Sequence, residues 1–146
     1  MLSVAVMGSA WAGDGAALFT QNCALCHQSG GAGLPGQFPR LAGRVSVIST
    51  QASGRSYLID VLSYGLSGTV TVDDQEIIGV MPSFGTLSNE AVADILSYVQ
   101  SLGEHPAKPP KAFSAQEVAA GRAKTAKSPN EVRSERQELK GAKVIP

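Results

Sequence analysis

Cys23-Ala24-Leu25-Cys26-His27 is the most informative stretch of this 146-residue chain. Two cysteines separated by two residues and followed directly by a histidine are typical of a site where haem is attached covalently. The spacing lets both sulfur atoms reach the two vinyl groups on one edge of a porphyrin, and it carries the histidine under the ring. The pentapeptide therefore predicts one haem c, bound through Cys23 and Cys26, with His27 as an iron ligand.

A disulfide or half of a zinc site is the alternative for the same two cysteines. A structural zinc site requires four ligands of the Cys or His type. The chain has only two cysteines and two histidines, and the second histidine, His105, lies far away in a proline-rich stretch. We therefore favour the haem interpretation.

Met81 is the candidate for the second axial ligand of the iron. Methionine opposite histidine gives an electron-transfer centre with a raised potential. If the N-terminal segment is removed, Met81 is the only methionine left, and Pro82 stiffens the backbone beside it. The rival ligand, His105, comes just after a predicted helix end and before Pro106. The sequence therefore predicts His27 and Met81 as the two metal ligands.

Charge is distributed unevenly along the chain. The formal net charge of zero argues against a nucleic-acid-binding protein. Residues up to 104 contain three basic and eight acidic residues, and residues from 105 onward contain nine and four. An acidic body with a basic tail suggests a surface for a partner, although an accidental distribution of solvated charges explains it equally well.

The N-terminal residues 1–12 are similar to a secretory signal peptide. Residues 2–7 form a short apolar run, and Ala10-Trp11-Ala12 fits a small-x-small cleavage site. No basic residue precedes the run, so an ordinary hydrophobic N-terminus or a retained anchor is the alternative. The length of the chain indicates one domain with an appendage, and no apolar run is long enough to cross a membrane. We expect cleavage near Gly13 and export to the periplasm.

The hydrophobic pattern predicts an all-α fold with a small β-hairpin. The expected helices and hairpin lie at residues 14–22, 56–64 and 89–102, and at residues 69–78. Gly15 is a poor helix former, and we expect it to let another helix approach closely. Residues 28–44 are predicted as a loop because glycine and proline recur there.

The C-terminal part divides into a proline-rich linker at residues 105–113 and a basic helical tail at residues 114–146. Two capping-box patterns, Ser114-x-x-Glu117 and Ser128-Pro129-x-Glu131, predict two short helices. The tail has too few apolar residues to build its own core. It must lie along the haem domain at residues 13–104, lie along a partner or stay mobile.

The loop before residue 45 holds the candidates for secondary contacts with the haem. A histidine ligand usually donates its other ring N–H to a carbonyl or carboxylate, and the carbonyl of Pro39 is a candidate acceptor for His27. A simple turn proline is the alternative. Arg40 and Arg44 are candidate partners of the haem propionates because a guanidinium pairs well with a carboxylate. For Arg55 we favour a solvent-exposed side chain.

From Gly15 to Gly103 the chain resembles class I c-type cytochromes. That family has a glycine eight residues, and an aromatic residue four residues, before the first cysteine, and these positions are Gly15 and Phe19 here. An aromatic residue of the family's last helix packs where the N- and C-terminal helices cross, and Tyr98 matches it. The resemblance implies the cytochrome c fold, with three main helices around one covalently attached haem.

The family's Gly-Pro-x-Leu segment is represented by Pro39 and Leu41, which supports the Pro39 carbonyl as the partner of His27. The Met81-Pro82 loop matches the family's methionine ligand. The order of the valine-rich run, this loop and Leu87-Ser88-Asn89-Glu90 is similar to monohaem cytochrome domains that are paired with periplasmic quinoprotein dehydrogenases and copper nitrite reductases. Residues 45–55 match no such pattern.

These features favour an electron carrier over an enzyme, because no constellation of catalytic acid, base or nucleophile is present. The resemblance implies redox-protein partners, a periplasmic dehydrogenase as donor and a respiratory acceptor. Leu34, Val80 and Phe84 are expected to form an apolar docking patch near the haem edge. One alternative is a fixed subunit of a redox complex, docked through the tail. The other is an open-site haem sensor or peroxidase, which requires Met81 to leave the iron free.

Overall fold

The computed structural model describes residues 14–146, and the predicted signal peptide at residues 1–12 lies outside the described part. The fold is mostly helical with one two-stranded antiparallel sheet. Within residues 14–146 no helix is both long and apolar enough to cross a membrane. In chain order the elements are α1 Gly15–Asn22, α2 Ala24–His27, a 3-10 turn Ser29–Gly31, α3 Val45–Ile48, α4 Ala52–Tyr64, β1 Leu66–Val72, β2 Gln75–Met81, α5 Asn89–Gln100, α6 Ala115–Arg122 and α7 Pro129–Gly141.

Helix α1 crosses α5 at a glycine. A Cβ on Gly15 would overlap the carbonyl oxygen of Asp94 and would lie 2.8 Å from the Cβ of Tyr98. One turn later, the buried ring of Phe19 packs against Tyr98 with a centroid distance of 5.5 Å and an interplanar angle of 55°. The predicted close approach therefore occurs between the first helix and α5.

Residues 45–55, which matched no pattern in the sequence, form α3 and the first turn of α4. Helix α4 begins at Ala52 rather than at the predicted Ser56. Gly54 lowers the helix propensity of this turn, but a Cβ there would overlap the carbonyl oxygen of Ile48. The glycine is therefore required by the tight turn between α3 and α4, which local propensity does not reveal.

The β-hairpin is longer than predicted. Its strands pair from Leu66 opposite Met81 to Val72 opposite Gln75. The turn residues Asp73 and Asp74 have φ angles of 50° and 60°, as the two central residues of a type I′ hairpin turn require. The longer ladder matters because it makes Met81 the last residue of a strand rather than part of a free loop.

The C-terminal tail lies along the rest of the chain. Helix α6 packs on α4 and α5, and α7 packs on α4 and β1. The linker and tail residues that complete the core are apolar and buried: Phe113 of the linker, and Val118, Val132 and Ile145 of the tail. Of the three alternatives for the tail, the structure shows the first, in which the tail lies along the haem domain.

Arg55 connects the tail to α4, contrary to the expectation of an exposed arginine. Its guanidinium makes two hydrogen bonds to the carboxylate of Glu117, at 2.6 and 2.7 Å. It also lies 3.8 Å from the centre of the Phe113 ring. Only 14% of the Arg55 side chain is exposed, because these partners cover it. They come from a segment about 60 residues later in the chain.

The crossing of α1 and α5 predicts the effect of a single methyl group. We expect Gly15→Ala to lower the free energy of unfolding by about 1–3 kcal/mol, because the two helices must move apart. Gly141→Ala is the matched control, since a Cβ there meets nothing within 4 Å. Urea denaturation of the haem-loaded protein measures both variants. Equal stabilities of the two variants would contradict the close packing.

The contact between Arg55 and Glu117 predicts a pH-dependent contribution to stability. The hydrogen bond from Arg55 lowers the pKa of Glu117 below its ordinary value of 4.5. The stabilisation is therefore present above that value and is lost as pH falls through the folded-state pKa. We expect Glu117→Gln to cost about 1 kcal/mol at pH 7.

Thermal unfolding of wild type and Glu117→Gln across pH 3–7 checks this prediction. The difference between the two proteins should shrink as the pH falls. Glu138→Gln is the control, because Glu138 is exposed and forms no ion pair among residues 14–146. A Glu117→Gln effect that is independent of pH would show that the carboxylate charge contributes nothing.

Candidate functional site

An apolar cleft of about 390 Å³ opens between the α1–α2 segment, the loop at residues 36–39 and the β-hairpin. Cys23, Cys26, His27 and Met81 all line it. The cleft therefore brings together the four residues that the sequence singled out. The sequence pattern did not indicate that both strands of the hairpin would form one wall of this cleft.

His27 is held by the main chain of the loop opposite. His27 is 6% exposed, and its Nδ1 lies 3.0 Å from the carbonyl oxygen of Pro39. A hydrogen on Nδ1 would donate to this carbonyl and leave Nε2 as the ring nitrogen with a free lone pair. Burial lowers the pKa of His27, which favours the neutral imidazole that can bind a metal.

Gln28 maintains an unusual backbone directly after His27. Its φ of 62° and ψ of 167° fall in a region that is otherwise almost restricted to glycine. The side-chain amide donates to the carbonyl oxygens of Leu25 and Cys26 at 3.3 Å each. The amide N–H of Gly33 donates to the carbonyl of His27 at 2.8 Å. Nothing in the sequence pattern pointed to Gln28.

The two thiols are free and partly buried, so the structure contains no disulfide between Cys23 and Cys26. Burial raises the pKa of the Cys23 thiol to about 11, and the neighbouring Cys26 adds to the effect. In the described part of the chain, no group of three or more His, Cys, Asp or Glu residues is placed to hold a metal ion. The zinc alternative therefore has no support from residues 14–146.

Met81 is held in place by the end of α4. Gly65, with a φ of 82°, ends that helix so close to the methionine that a Cβ would lie 2.6 Å from the Met81 carbonyl oxygen. Beyond the methionine, the Ser83 hydroxyl donates to the carbonyl of Ser63 at 2.6 Å. The amide of Phe84 donates to the carbonyl of Leu62 at 2.7 Å. Both ends of the Met81 segment are therefore attached to one buried helix.

Arg40 and Arg44 lie outside the lining of the cleft. Arg40 makes two 2.8 Å hydrogen bonds to the carboxylate of Asp73 in the hairpin turn. Arg44 is 7% exposed and donates to Asp73 at 3.2 Å and to the main-chain oxygen of Pro146 at 2.6 Å. Their pairing with haem propionates stays a prediction, and the structure provides Asp73 as the partner that both share.

The apolar residues at the mouth of the cleft differ in part from the predicted docking patch. Val80 is 75% exposed and lines the cleft together with Phe84, whereas Leu34 lines a neighbouring cavity of about 100 Å³. Two strongly exposed residues were missed, Leu25 at 90% and Ile78 at 76%. Ile78 also lines the cleft, and the available signals were its place in an alternating strand and the place of Leu25 between the two cysteines.

The composition of the cleft fits a covalently bound haem. Two thiols, an imidazole nitrogen and a thioether sulfur face one apolar space, which is the donor set that attaches a porphyrin and ligates its iron. Gly36, Gly68 and Gly79 also line the cleft, so parts of its wall have no side chains. This arrangement leaves room for a broad planar group.

The chain is similar to known proteins over most of its length. A family model described as cytochrome c matches residues 12–103. A cytochrome c-552 of Thermus thermophilus is 43% identical over 128 residues, which cover 86% of this chain and 96% of that protein. A second cytochrome c-552, from a named strain of the same species, is also 43% identical over 128 residues and is covered to 85%.

A third relative has a different context. The fructose dehydrogenase cytochrome subunit of Gluconobacter japonicus is 39% identical over 95 residues. The match covers 60% of this chain but only 18% of that protein. The similarity to this subunit is therefore limited to one segment of a much longer polypeptide.

Proposed function

Because the chain belongs to the cytochrome c family, we propose that it carries single electrons through one haem c held by Cys23, Cys26, His27 and Met81. Proteins of this family contain covalently bound haem c and act as electron carriers or as electron-carrying subunits, not as enzymes themselves. The observation that carries the assignment of residues is their convergence on one apolar cleft from two separate segments of the chain.

Each of the four residues has a distinct task in this proposal. The thiols of Cys23 and Cys26 would hold the haem by adding across its two vinyl groups, with each thiol proton passing to the neighbouring carbon. His27 and Met81 would supply the nitrogen and the sulfur that bind the iron. When bound, haem c supplies an iron ion that gains and loses one electron. The Pro39 carbonyl orients His27, and α4 holds the Met81 segment.

Two axial protein ligands would leave no position for a substrate or a gas, which favours electron transfer over the sensor or peroxidase alternative. The apolar wall of the hairpin supports the same function, since a dry site around the iron favours a raised potential. Three main helices around the haem, α1, α4 and α5, are the arrangement that the family membership supports.

The proposed docking surface surrounds the mouth of the cleft and is apolar. Ile78 and Val80 line the cleft and are strongly exposed, and the exposed Leu25 lies between the two cysteines in the sequence. The arginines of residues 14–104 are paired with carboxylates: Arg40 and Arg44 with Asp73, and Arg55 with Glu117. We therefore infer that redox partners meet an uncharged patch through a small, short-lived interface. A periplasmic dehydrogenase as donor and a respiratory acceptor are the proposed partners.

A role as a fixed subunit of a redox complex is the second candidate, and the similarity to a protein named as a dehydrogenase cytochrome subunit favours it. Docking through the tail has less support, because its apolar residues Val118, Val132 and Ile145 are buried within this chain. A stable complex would have to use the mouth of the cleft or the outer faces of the tail helices instead.

Met81 as the sixth ligand predicts a specific spectroscopic change. We expect Met81→Ala to remove the weak far-red band of iron–sulfur ligation, to lower the reduction potential and to let carbon monoxide bind the ferrous protein. Val80→Ala is the matched control, because Val80 is the exposed neighbour in the same segment. Absorption spectra of both variants, oxidised and reduced, provide the measurement. A wild-type protein without the far-red band would overturn the proposed ligation.

Electron transfer itself is tested with the intact haem-loaded protein. The reduced form should pass its electron to an isolated respiratory acceptor, and a quinoprotein dehydrogenase with its substrate should reduce the oxidised form. Stopped-flow absorbance follows both steps. A protein that is reduced by dithionite but exchanges electrons with no donor or acceptor protein would contradict the carrier function.

A further inference from the structure

Against the wall of the cleft, the tail places a cation that forms no ion pair among residues 14–146. Helix α7 packs along strand β1, and β1 contributes Leu66, Gly68 and Val70 to the lining of the cleft. Arg133 of α7 lies directly against Gly68: a Cβ on this glycine would be 2.8 Å from Cδ and 2.9 Å from Nε of Arg133. The guanidinium is therefore in contact with main chain that also faces the cleft.

Neither strand of the hairpin carries a side chain at the register position of Gly68. Gly68 is paired across the sheet with Gly79, and both glycines line the cleft. The sheet is consequently reduced to its main chain at this one register position. The Nε atom of Arg133 is buried, so the field of its charge would be weakened less than that of a charge fully surrounded by water.

The charge of Arg133 has no counter-ion among residues 14–146. It forms none of the ion pairs found there, and its buried Nε has no hydrogen-bond partner. The residues three or four positions away on α7 are Pro129, Asn130, Arg136 and Gln137, none of them acidic. Strand β1, Leu66–Val72, contains no charged residue at all.

Arg136 shows the contrast within the same helix. Its guanidinium donates to the hydroxyl of Tyr57 at 3.2 Å and to the carbonyl of Thr71 at 3.3 Å. Its place is therefore explained by hydrogen bonds that join α7 to α4 and β1. Arg133 makes no such bond through Nε, although a buried, unsatisfied donor costs free energy. Packing alone does not account for an arginine at this position.

We propose that Arg133 sets the reduction potential of the haem, by placing its positive charge behind the Gly68–Gly79 pair. Reduction of the iron from the ferric to the ferrous state lowers the charge in the cleft by one unit. A nearby cation therefore favours the ferrous state and raises the potential. This inference rests on the proposed function, because it requires the haem to occupy this cleft.

The experiment compares midpoint potentials of three variants by spectroelectrochemistry on the full-length, haem-loaded protein. Arg133→Gln removes the charge, and Arg133→Lys retains it. Lys140→Gln removes an exposed charge two turns further along α7. We expect Arg133→Gln to lower the ferrous-to-ferric ratio at a fixed electrode potential about threefold. At about 59 mV per tenfold change, this corresponds to a midpoint potential that is about 30 mV lower. Arg133→Lys should keep more than half of the wild-type effect, and Lys140→Gln should change little.

Three results would overturn the inference. The first is a wild-type midpoint potential in Arg133→Gln. The second is a midpoint potential in Arg133→Lys that is as low as in Arg133→Gln. The third is a midpoint potential in Lys140→Gln that is lowered as much as in Arg133→Gln. The absorption spectrum of each variant separates this test from the proposed function. Absence of the far-red band in wild type would count against Met81 ligation, whereas an intact band with an unchanged potential in Arg133→Gln would count against Arg133 alone.

Discussion

The structure depends on one constraint: the segment with Cys23, Cys26 and His27 must face Met81 across a single cleft. Two attachments meet this constraint. Helix α1, which leads into the cysteine segment, is pressed against α5 at Gly15, where no side chain separates the helices. The Met81 segment is attached to the end of buried helix α4 by main-chain and serine hydrogen bonds. The packing of α4 and α5 in one core therefore fixes the width of the cleft.

Ion pairs neutralise part of the charge of this protein inside the fold. Asp73 at the tip of the hairpin binds both Arg40 and Arg44, and Lys127 bridges Asp60 and Glu135. Only some of the ion pairs therefore join the acidic body to the basic tail, although the two parts carry opposite net charges. Near the cleft, the structure has an exposed apolar rim and the guanidinium of Arg133 against Gly68, and these two features suit docking and tuning respectively.

The sequence was most informative where chemistry needs a fixed spacing or a local cap. The cysteine motif and the serine caps at Ser88 and Ser114 each depend on neighbours a few residues away. It was misleading for Arg55, which is ion-paired rather than exposed. The partner of Arg55 is Glu117 in the tail, and no local pattern relates two residues so far apart.

The sequence by itself determined the type of cofactor, the candidate axial ligands and the helical class, because two thiols, an imidazole and a Met-Pro segment carry their chemistry wherever the chain places them. Only the tertiary structure decided that the tail lies on its own haem domain and that the hairpin walls the cleft. It also decided that Asp73 takes both arginines and that Arg133 lies behind Gly68. These contacts join distant segments, and they arise from burial and charge pairing that become defined only when the whole core assembles.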